Sequence, residues 1–272
     1  MLGAVHLASA DRAQLIVELC AFEELELEKN LFGRRGATVR PDDAPEIRGL
    51  PLFATMGESA FETLVRGAYL QTFPPQIQLI TEGDTPDFLH VLIEGSVEMF
   101  ATWNRRETTM AMLRPVATFI PAAAITDRPN LMSARTVAKS RIALIPAEDV
   151  RRVFTEDAAF AVAMAADLAG HFRDLTRHVK ELKLRSSIER LAALLLRVQA
   201  RAGGAQTFEL PHEKRLLAAY LGMTPESLSR AFASLRAYGV GVNQAVITIE
   251  NPDELRRLAK PTPLIDDSDT PR

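Results

Sequence analysis

The stretch LAAYLGMTPESLSRAFASLRAYGV, residues 217–240, decides the fold of the C-terminal part of this chain. A helical pattern ends near Leu221, Gly222 marks a turn, and Thr224 followed by Pro225 begins a second helix. Threonine is a good N-cap, and proline suits the first helical position, where its missing N–H costs nothing. The apolar residues of both segments are spaced to share one small core: Leu216, Leu217, Leu221, Leu228, Phe232 and Leu235. The stretch therefore predicts a helix-turn-helix.

The second helix of this pair has a polar face opposite its apolar residues. Arg230 on that face has the geometry to bind guanine O6 and N7 bidentately, and Glu226 can accept from the cytosine N4 amine. We predict that Glu226, Ser229 and Arg230 read bases in a major groove. The alternative is a solvated helix face whose charges have no function. The residues predicted to contact phosphates are Lys214, Arg215, Thr224 and Arg236.

The composition limits the class of protein. The chain has 272 residues, 47% of them hydrophobic, and a net charge of -3, so it is long enough for two domains. Residues 185–240 are locally basic, with eight Lys or Arg against four Glu. Cys20 is the single cysteine, so one chain can form neither a disulfide nor a four-cysteine metal site. We expect a cytoplasmic protein with neither an export signal nor a membrane span.

The middle of the chain is rich in short β-type runs. These runs are separated by turn signals such as EGD, EGS and WNRRE. Gly83 and Gly95 lie at the turns, where residues with positive φ are needed. The spacing predicts an all-β sandwich or barrel of short antiparallel strands. The runs are 76–80, 88–93, 96–101, 109–113 and 141–145.

A helical pattern follows, from residue 148 to about residue 185. One set of its apolar residues steps by 4, 3, 4 and 3, which is typical of a coiled-coil seam. We predict that this helix pairs in parallel with a second copy of itself, so that the protein is a homodimer. The alternative is a helix packed on its own domain. His171 and His178 lie beside the seam, where we expect them to be solvated. The seam residues are Leu168, Phe172, Leu175, Val179 and Leu182.

The two ends of the chain have a different character. Residues 11–32 predict a helix with an acidic face, and residues 33–46 have the mixed glycine, proline and charge content of a linker. We therefore separate residues 1–46 as an N-terminal helical extension and linker. Residues 261–272 are predicted to be a disordered tail.

The order of these parts resembles the Crp/Fnr family of bacterial transcription regulators over residues 47–258. TEGDTPDFLHVLIEGSVEMF, residues 81–100, resembles the β-roll signature of the family, and MTPESLSRAFASLRAYGV resembles its recognition helix. The resemblance implies an α+β chain of three parts. These are a β-roll (jelly-roll) sensor domain of the cyclic-nucleotide-binding type at 47–147, a dimerisation helix region at 148–185 and a winged helix-turn-helix at 186–260.

The same resemblance implies a function. Glu226, Ser229 and Arg230 fall on the E-x-x-S-R positions that mark the Fnr/FixK-like branch. That branch reads palindromes close to TTGAT, four spacer bases and ATCAA, so we expect a homodimeric regulator of double-stranded DNA, with RNA polymerase as a further partner. The alternative is a ligand-sensing protein that acts through protein contacts. We do not expect an enzyme, because the sequence offers no nucleophile with a base, no paired carboxylates and no metal-ligand spacing.

The resemblance also bears on what the sensor binds. In cAMP-binding relatives a Gly-Glu pair and a following Arg-Ser pair form the phosphate cradle, and here those positions hold Pro121-Ala122 and Met132-Ser133. We therefore expect a sensor that is not suited to cAMP, and the lone Cys20 excludes an iron–sulfur cluster. The remaining pocket is expected to be apolar, and either accepts a hydrophobic effector or haem or is filled by side chains. Its predicted residues are Phe119, Ala122, Ala123, Met132, Ser133, Leu175 and Thr176.

His90 is the candidate haem ligand of the sensor. It lies on one of the β-type runs, and some members of the family sense NO or CO through haem. A haem-based sensor of NO, CO or redox state is therefore a second form of the regulator to consider. The alternative is a half-buried structural histidine. No other metal-binding residue is predicted.

Overall fold

The computed structural model describes residue 39, residues 43–210 and residues 213–266. A β-roll and a C-terminal helical domain are joined by a long helix. The predicted helix at 11–32, most of the predicted linker and Cys20 lie outside the described residues. In the part of the chain that is described, no helix has the length and apolar character needed to cross a membrane.

Two helices, α1 (Ala44–Arg48) and α2 (Glu58–Gly67), precede the strands and pack on the β-roll. The linker prediction is wrong at its end, because the last residues of the predicted linker belong to α1. Ion pairs with a distant strand hold this helix in place: Arg141 lies 3.2 Å from Asp43 and 2.7 Å from Glu46. Local composition cannot reveal such a partner.

The N-terminal body is built on short strands: β1 (Tyr69–Phe73), β2 (Gln78–Ile80), β3 (Phe88–Glu94), β4 (Val97–Trp103), β5 (Arg106–Leu113), β6 (Ala117–Phe119), β7 (Ser133–Thr136) and β8 (Ser140–Pro146). Within the described ranges they form two antiparallel four-stranded sheets, ordered β1-β8-β3-β6 and β2-β7-β4-β5. On β3, Leu89 and Val91 pack towards the helices, whereas His90 and Leu92 face the core between the sheets. This alternation agrees with the predicted β fold of the domain.

The helices of this half of the chain are α3 (Pro121–Thr126), α4 (Ala147–Glu156) and α5 (Ala158–Leu184). The predicted helical region, residues 148–185, is thus divided in two at Asp157. The carboxylate of Asp157 caps α5 by accepting the N–H of Phe160 at 2.7 Å, and it also accepts the N–H of Gly57 at 2.7 Å. These hydrogen bonds lower the pKa of Asp157. The cap fixes the direction in which the long helix leaves the β-roll.

The C-terminal domain contains α6 (Ser187–Arg201), β9 (Thr207–Glu209), α7 (Lys214–Tyr220), α8 (Pro225–Leu235), a 3-10 turn (Arg236–Tyr238), β10 (Val240–Asn243), β11 (Val246–Ile249), α9 (Pro252–Ala259) and α10 (Pro263–Asp266). A capping box between Ser186 and Glu189 begins α6. The strands of this part form a small sheet in the order β10-β11-β9. Of the apolar residues predicted to share a core, Leu216 is half-buried and the others are buried. The structure confirms a helix-turn-helix with a small β-wing.

The prediction of a disordered tail is wrong for residues 261–266. These residues include α10, and its last residue, Asp266, is held by ion pairs with Arg185 and Arg197. A polar segment is compatible both with ion pairs in a folded protein and with disorder in solvent. Composition alone therefore could not distinguish an ordered tail from a disordered one. Residues 267–272 lie outside the described residues.

Candidate nucleic-acid interface and sensor cavity

The turn between α7 and α8 requires glycine. Gly222 has a φ of +63°, in the left-handed region that favours glycine, and its N–H donates to the carbonyl of Ala219 at 2.9 Å. A Cβ atom at this position would lie 2.9 Å from Cδ2 of Leu182 on α5. The turn therefore packs directly on the end of the long helix, a contact that the sequence pattern did not predict.

The start of α8 has the predicted N-cap residue and the predicted proline in its first turn. The hydroxyl of Thr224 accepts the N–H of Ser227 at 3.2 Å, and Pro225 occupies the first turn. The same hydroxyl was predicted to bind phosphate, and in this structure it is engaged as the helix cap. The phosphate contact at Thr224 stays a prediction.

The predicted base-reading residues share one exposed face of α8. Glu226, Ser229 and Arg230 are all exposed, and Leu228 and Phe232 on the other side of the helix are buried. A hydrogen bond from the Thr224 hydroxyl and the nearby charge of Arg230 hold the pKa of Glu226 below its usual range. Glu226 is therefore an acceptor at neutral pH. The face therefore carries both a hydrogen-bond donor group, on Arg230, and an acceptor group, on Glu226. Direct readout of bases in the major groove uses donors and acceptors of this kind.

Two of the predicted phosphate-binding cations lie close to α8. The ammonium group of Lys214 is 5.9 Å from the centre of the Phe232 ring, and Arg236 is exposed at the end of α8. Arg215 differs, because it lines a cleft of about 230 Å³ between α7 and the β-roll. Glu98 and Glu107 line the β-roll side of that cleft. Both glutamates form ion pairs with Arg135, which also lines the cleft. The contact of Arg215 with phosphate stays a prediction.

The resemblance implied a winged domain, and the structure shows where the hairpin of the wing lies. Strands β10 and β11 are antiparallel, and the turn between them includes the exposed Asn243 and Gln244. Gln244 has a φ of +52°. An Asn-Gln turn between two β-type runs was the available signal. The tip of this hairpin is a second exposed polar feature of the C-terminal domain, in addition to the polar face of α8.

The structure divides the predicted effector pocket. Phe119 and Met132 pack in the core between the sheets, and Ser133 is buried with its hydroxyl accepting the N–H of Glu82 at 3.0 Å. The two residues predicted from the long helix, Leu175 and Thr176, are exposed in the single chain. On α3, Ala122 is exposed and Ala123 is half-buried. One chain therefore does not bring these residues into a single cavity, and the pocket stays a prediction.

The histidines differ from their expected environments. The prediction that His178 is solvated is wrong. Its ring stacks on Tyr220 of α7, with 5.1 Å between ring centres. Burial lowers the pKa of His178. His171 is half-buried, 4.0 Å from Asp167. Among the described residues, no group of three or more His, Cys, Asp and Glu side chains has the arrangement of a metal site.

His90 is buried rather than half-buried. Its ring lies 4.8 Å from that of Phe119 and 6.5 Å from that of Phe88, and burial lowers its pKa to about 4. The cavity beside it measures about 280 Å³. Pockets for drug-sized ligands measure about 300–1,000 Å³, and haem is larger than most such ligands. The residues present therefore do not fit a haem at His90.

Comparison with protein families gives two matches. Residues 189–258 match the model of the Crp-like helix-turn-helix domain. Residues 70–157 match the model of the cyclic nucleotide-binding domain. The two matched segments contain the helix-turn-helix and most of the β-roll, and the long helix lies between them.

Similar proteins share this organisation. The nitrogen fixation regulation protein FixK of Bradyrhizobium diazoefficiens is 34% identical over 87 residues, which are 30% of this chain and span 37% of that protein. The structure of FixK2 from Bradyrhizobium japonicum has a TM-score of 0.61 at 22% identity, covering 70% of this chain and 96% of that one. A regulatory protein of Silicibacter pomeroyi DSS-3, described as a candidate cAMP-binding protein, has a TM-score of 0.52 at 26% identity, covering 82% and 100%.

These matches agree with the observed structures of the helix-turn-helix domain and the β-roll. The β-roll, the long helix and the winged helix-turn-helix occur in the order expected from the sequence, and the matched family consists of regulators rather than enzymes. The chain belongs to the Crp/Fnr family of DNA-binding transcription regulators.

Proposed function

We propose that this protein is a homodimeric transcription regulator that binds a specific DNA sequence through α8. The observation that carries the proposal is the exposed face of Glu226, Ser229 and Arg230 above a buried apolar face. The first turns of such a helix can enter the major groove while its apolar side stays docked. Lys214 at the start of α7 and Arg236 at the end of α8 are exposed and would bind phosphates, and Arg215 would join them once the cleft to the β-roll opens.

The target we propose is a palindrome close to TTGAT, four spacer bases and ATCAA. The residues at the E-x-x-S-R positions and the partial similarity to FixK support this choice. Arg230 would bind the guanine of each half-site, and Glu226 would accept from the cytosine paired with that guanine. A two-fold symmetric protein matches a palindromic site, because each subunit reads one half.

The proposed dimer forms through α5. Phe172 is 70% exposed in the single chain, and Leu175, Val179 and Leu182 are also exposed on the same stripe. A continuous apolar stripe of this kind marks an interaction surface. A second copy of α5 would cover it, because its 3.5-residue repeat suits two parallel helices. RNA polymerase is the further partner that we propose for a regulator of this family.

The proposed sensor does not use cAMP. Pro121 and Ala122 begin α3 where a cyclic-nucleotide cradle would need a carboxylate, and Met132 stands where it would need a guanidinium. A cyclic phosphate needs such charged partners when it is buried. The relative from Silicibacter pomeroyi that is described as a candidate for cAMP binding gives the opposite expectation, so calorimetry with cAMP is a direct test. No heat of binding is expected.

DNA binding is tested by fluorescence anisotropy with two labelled duplexes. One carries the palindrome and the other has the same base composition with scrambled half-sites. We expect the palindrome to bind at least about a thousandfold more tightly, as specific complexes typically do. Affinity for both duplexes should fall as salt rises, because phosphate contacts release counterions. Equal affinity for the two duplexes would contradict specific reading, and no binding to either would favour a protein that acts through protein contacts.

A further inference from the structure

The joint between the long helix and the DNA-binding domain is two residues long. Helix α5 ends at Leu184 and α6 begins at Ser187, so Arg185 and Ser186 are the whole covalent connection. Both residues have extended backbones, with φ of -113° and ψ of 141° at Arg185. A few residues at the end of a helix can absorb the rotation of a whole domain. The angle between α5 and the domain is therefore set by contacts that cross the joint.

A segment from the far side of the domain lies across this joint. We call residues 260–266 the strap. It follows α9, turns at Lys260 in a left-handed conformation and ends in the short helix α10, which packs against α5. The ammonium group of Lys260 lies 3.4 Å from the carboxylate of Glu189, near the start of α6. The strap therefore contacts the helices on both sides of the joint.

The strap binds the joint itself through Arg185. The guanidinium group of Arg185 donates to the carboxylate of Asp266 at 2.8 and 2.6 Å, and to the carbonyl of Lys260 at 3.3 Å. The N–H of Thr262 donates to the same carboxylate at 2.7 Å. The side chains of Arg185 and Asp266 are only 6% and 10% exposed. Because a bidentate pair fixes orientation as well as distance, the strap holds the side chain of the joint in one direction.

Arg197 extends this cluster to α6. Its guanidinium group lies 3.0 Å from Asp266 and 3.0 Å from Glu181. Glu181 is buried on α5, one turn before the joint. The single carboxylate of Asp266 thus compensates cations from both sides of the joint. Its removal would leave two largely buried guanidinium groups without their shared partner, an arrangement that favours opening of the joint.

The angle at the joint matters because two copies of the domain read one site. In the proposed dimer the α5 helices pair with each other, so the joint of each chain decides where its α8 lies relative to the two-fold axis. Each base pair added between the half-sites moves one of them by about 3.4 Å and rotates it by about 35°. Two domains held at a fixed angle fit one spacing of half-sites, whereas two domains on loose joints fit several.

We propose that the strap makes the protein selective for the spacing of half-sites, because the bonds of Asp266 to Arg185 and Arg197 fix the angle between α5 and the DNA-binding domain. The inference rests on the proposed function, since it concerns how that function chooses among sites. Asp266 and Arg185 are positioning residues in this account. They act through the position of α8 and not through bonds to bases.

The test measures preference for spacing rather than affinity alone. Four duplexes carry the same half-sites with three, four, five or six spacer bases, and anisotropy gives the ratio of the second-lowest Kd to the lowest. We expect a ratio of at least about one hundred for the wild type and a fall of at least about tenfold in Asp266→Asn and in Arg185→Gln. A variant that is merely less stable contains less folded protein. That loss raises every apparent Kd by the same factor and leaves the ratio unchanged.

Asp253→Asn is the matched control for the strap variants. Asp253 forms an exposed ion pair with Arg256 on α9 of the same domain, away from the joint. Its ratio should equal that of the wild type. A wild-type ratio in either strap variant would overturn the proposal, because the pair needs both partners. An equal fall in the control, or a wild type that binds two spacings equally well, would overturn it too.

Hydrogen exchange measures the joint without DNA. In Asp266→Asn the amides of residues 181–190 should exchange at least about tenfold faster than in the wild type, while the strands of the β-roll keep their rates. Unchanged exchange at the joint would overturn the proposal.

The two possible failures are distinguishable. A wild type that binds none of the duplexes specifically loses the proposed function, and hydrogen exchange alone then decides whether the strap holds the joint. A wild type that binds one spacing specifically, with a preference that Asp266→Asn retains, keeps the proposed function and loses this inference.

Discussion

Arg185 and Asp266 form a bidentate ion pair that joins the end of α5 to α10. The two nitrogen–oxygen distances are 2.8 and 2.6 Å. Arg197 of α6 lies 3.0 Å from the same carboxylate, and its other terminal nitrogen lies 3.0 Å from Glu181 of α5. Two cations and two anions, all largely buried, thus connect the long helix to the C-terminal domain. Bidentate pairs between arginine and carboxylate are among the stronger polar contacts in proteins, and they fix geometry.

Replacing Asp266 by asparagine should weaken this connection. Asp266→Asn removes the negative charge between two guanidinium groups. The buried positive charges of Arg185 and Arg197 then lose one of the carboxylates that compensate them. We expect the free energy of unfolding to fall by about 1–3 kcal/mol in urea denaturation at neutral pH. Asp253→Asn is the matched control, because Asp253 is 80% exposed and its pair with Arg256 is on the surface. Its effect should stay below about 1 kcal/mol, and equal losses in both variants would contradict the role of Asp266.

The same pair predicts a dependence on acid. Burial alone would raise the pKa of Asp266, but the hydrogen bonds from Arg185 and from the N–H of Thr262 outweigh it and lower the pKa. A carboxylate with a lowered pKa stabilises the fold above its unfolded pKa, and this contribution is lost as the pH falls through the folded value. The stability difference between wild type and Asp266→Asn should therefore shrink below about pH 4. A difference that stays constant down to acid pH would contradict the ion pair.

The dimer prediction is tested on the long helix. Phe172→Glu places a charge in the middle of the exposed apolar stripe, so two copies of α5 should no longer pair. We expect sedimentation velocity to show a monomer for this variant and a dimer for the wild type. Val162→Glu is the control on the same helix, because Val162 is also 70% exposed but lies off the seam. A dimer that survives in Phe172→Glu would mean that a different surface is used.

The two roles assigned to arginines near α8 predict different losses of DNA affinity. Arg230→Ala should remove about 1–3 kcal/mol of discrimination per half-site and leave weak non-specific binding. Arg236→Ala should weaken binding to all sequences alike and reduce the salt slope by about 1 for each half-site. Anisotropy titrations of both variants against specific and scrambled duplexes at several salt concentrations separate the two patterns. Equal loss on both duplexes in Arg230→Ala would contradict base reading by this residue.

The buried histidine of the β-roll predicts a second pH dependence. Burial lowers the pKa of His90 from 6.5 to about 4, so between these values the unfolded chain binds a proton that the folded chain does not. Stability should therefore fall as the pH drops from about 6.5 towards 4, and be insensitive to this group above that range. We expect His90 to account for a loss of about 2 kcal/mol between about pH 7.5 and pH 5. Urea denaturation of wild type and His90→Phe measures it, and parallel pH profiles would contradict it.

The features that the sequence predicted well are set by neighbouring residues. Gly222, Thr224 and Pro225 specify a turn, a cap and a first helical position, and each acts on its own backbone or on residues a few positions away. The apolar spacing of α8 likewise fixes which side is buried and leaves Glu226 and Arg230 on the other. The 4-3 spacing of the seam fixes one stripe of α5 in the same way. Local geometry repeats with a known period, so these faces follow from the order of residues.

The features that only the tertiary structure decided depend on which elements meet. The contact of Leu182 with Gly222, the ion pair of Arg185 with Asp266 and the shared cavity of His90 and Asn130 join residues that are between 40 and 81 positions apart in the chain. No spacing rule connects such residues, because the packing of whole elements brings them together. The sequence by itself determined the helix that can read DNA and the stripe that can pair. Tertiary packing decided how that helix is attached to the sensor, and which polar groups are buried without a partner.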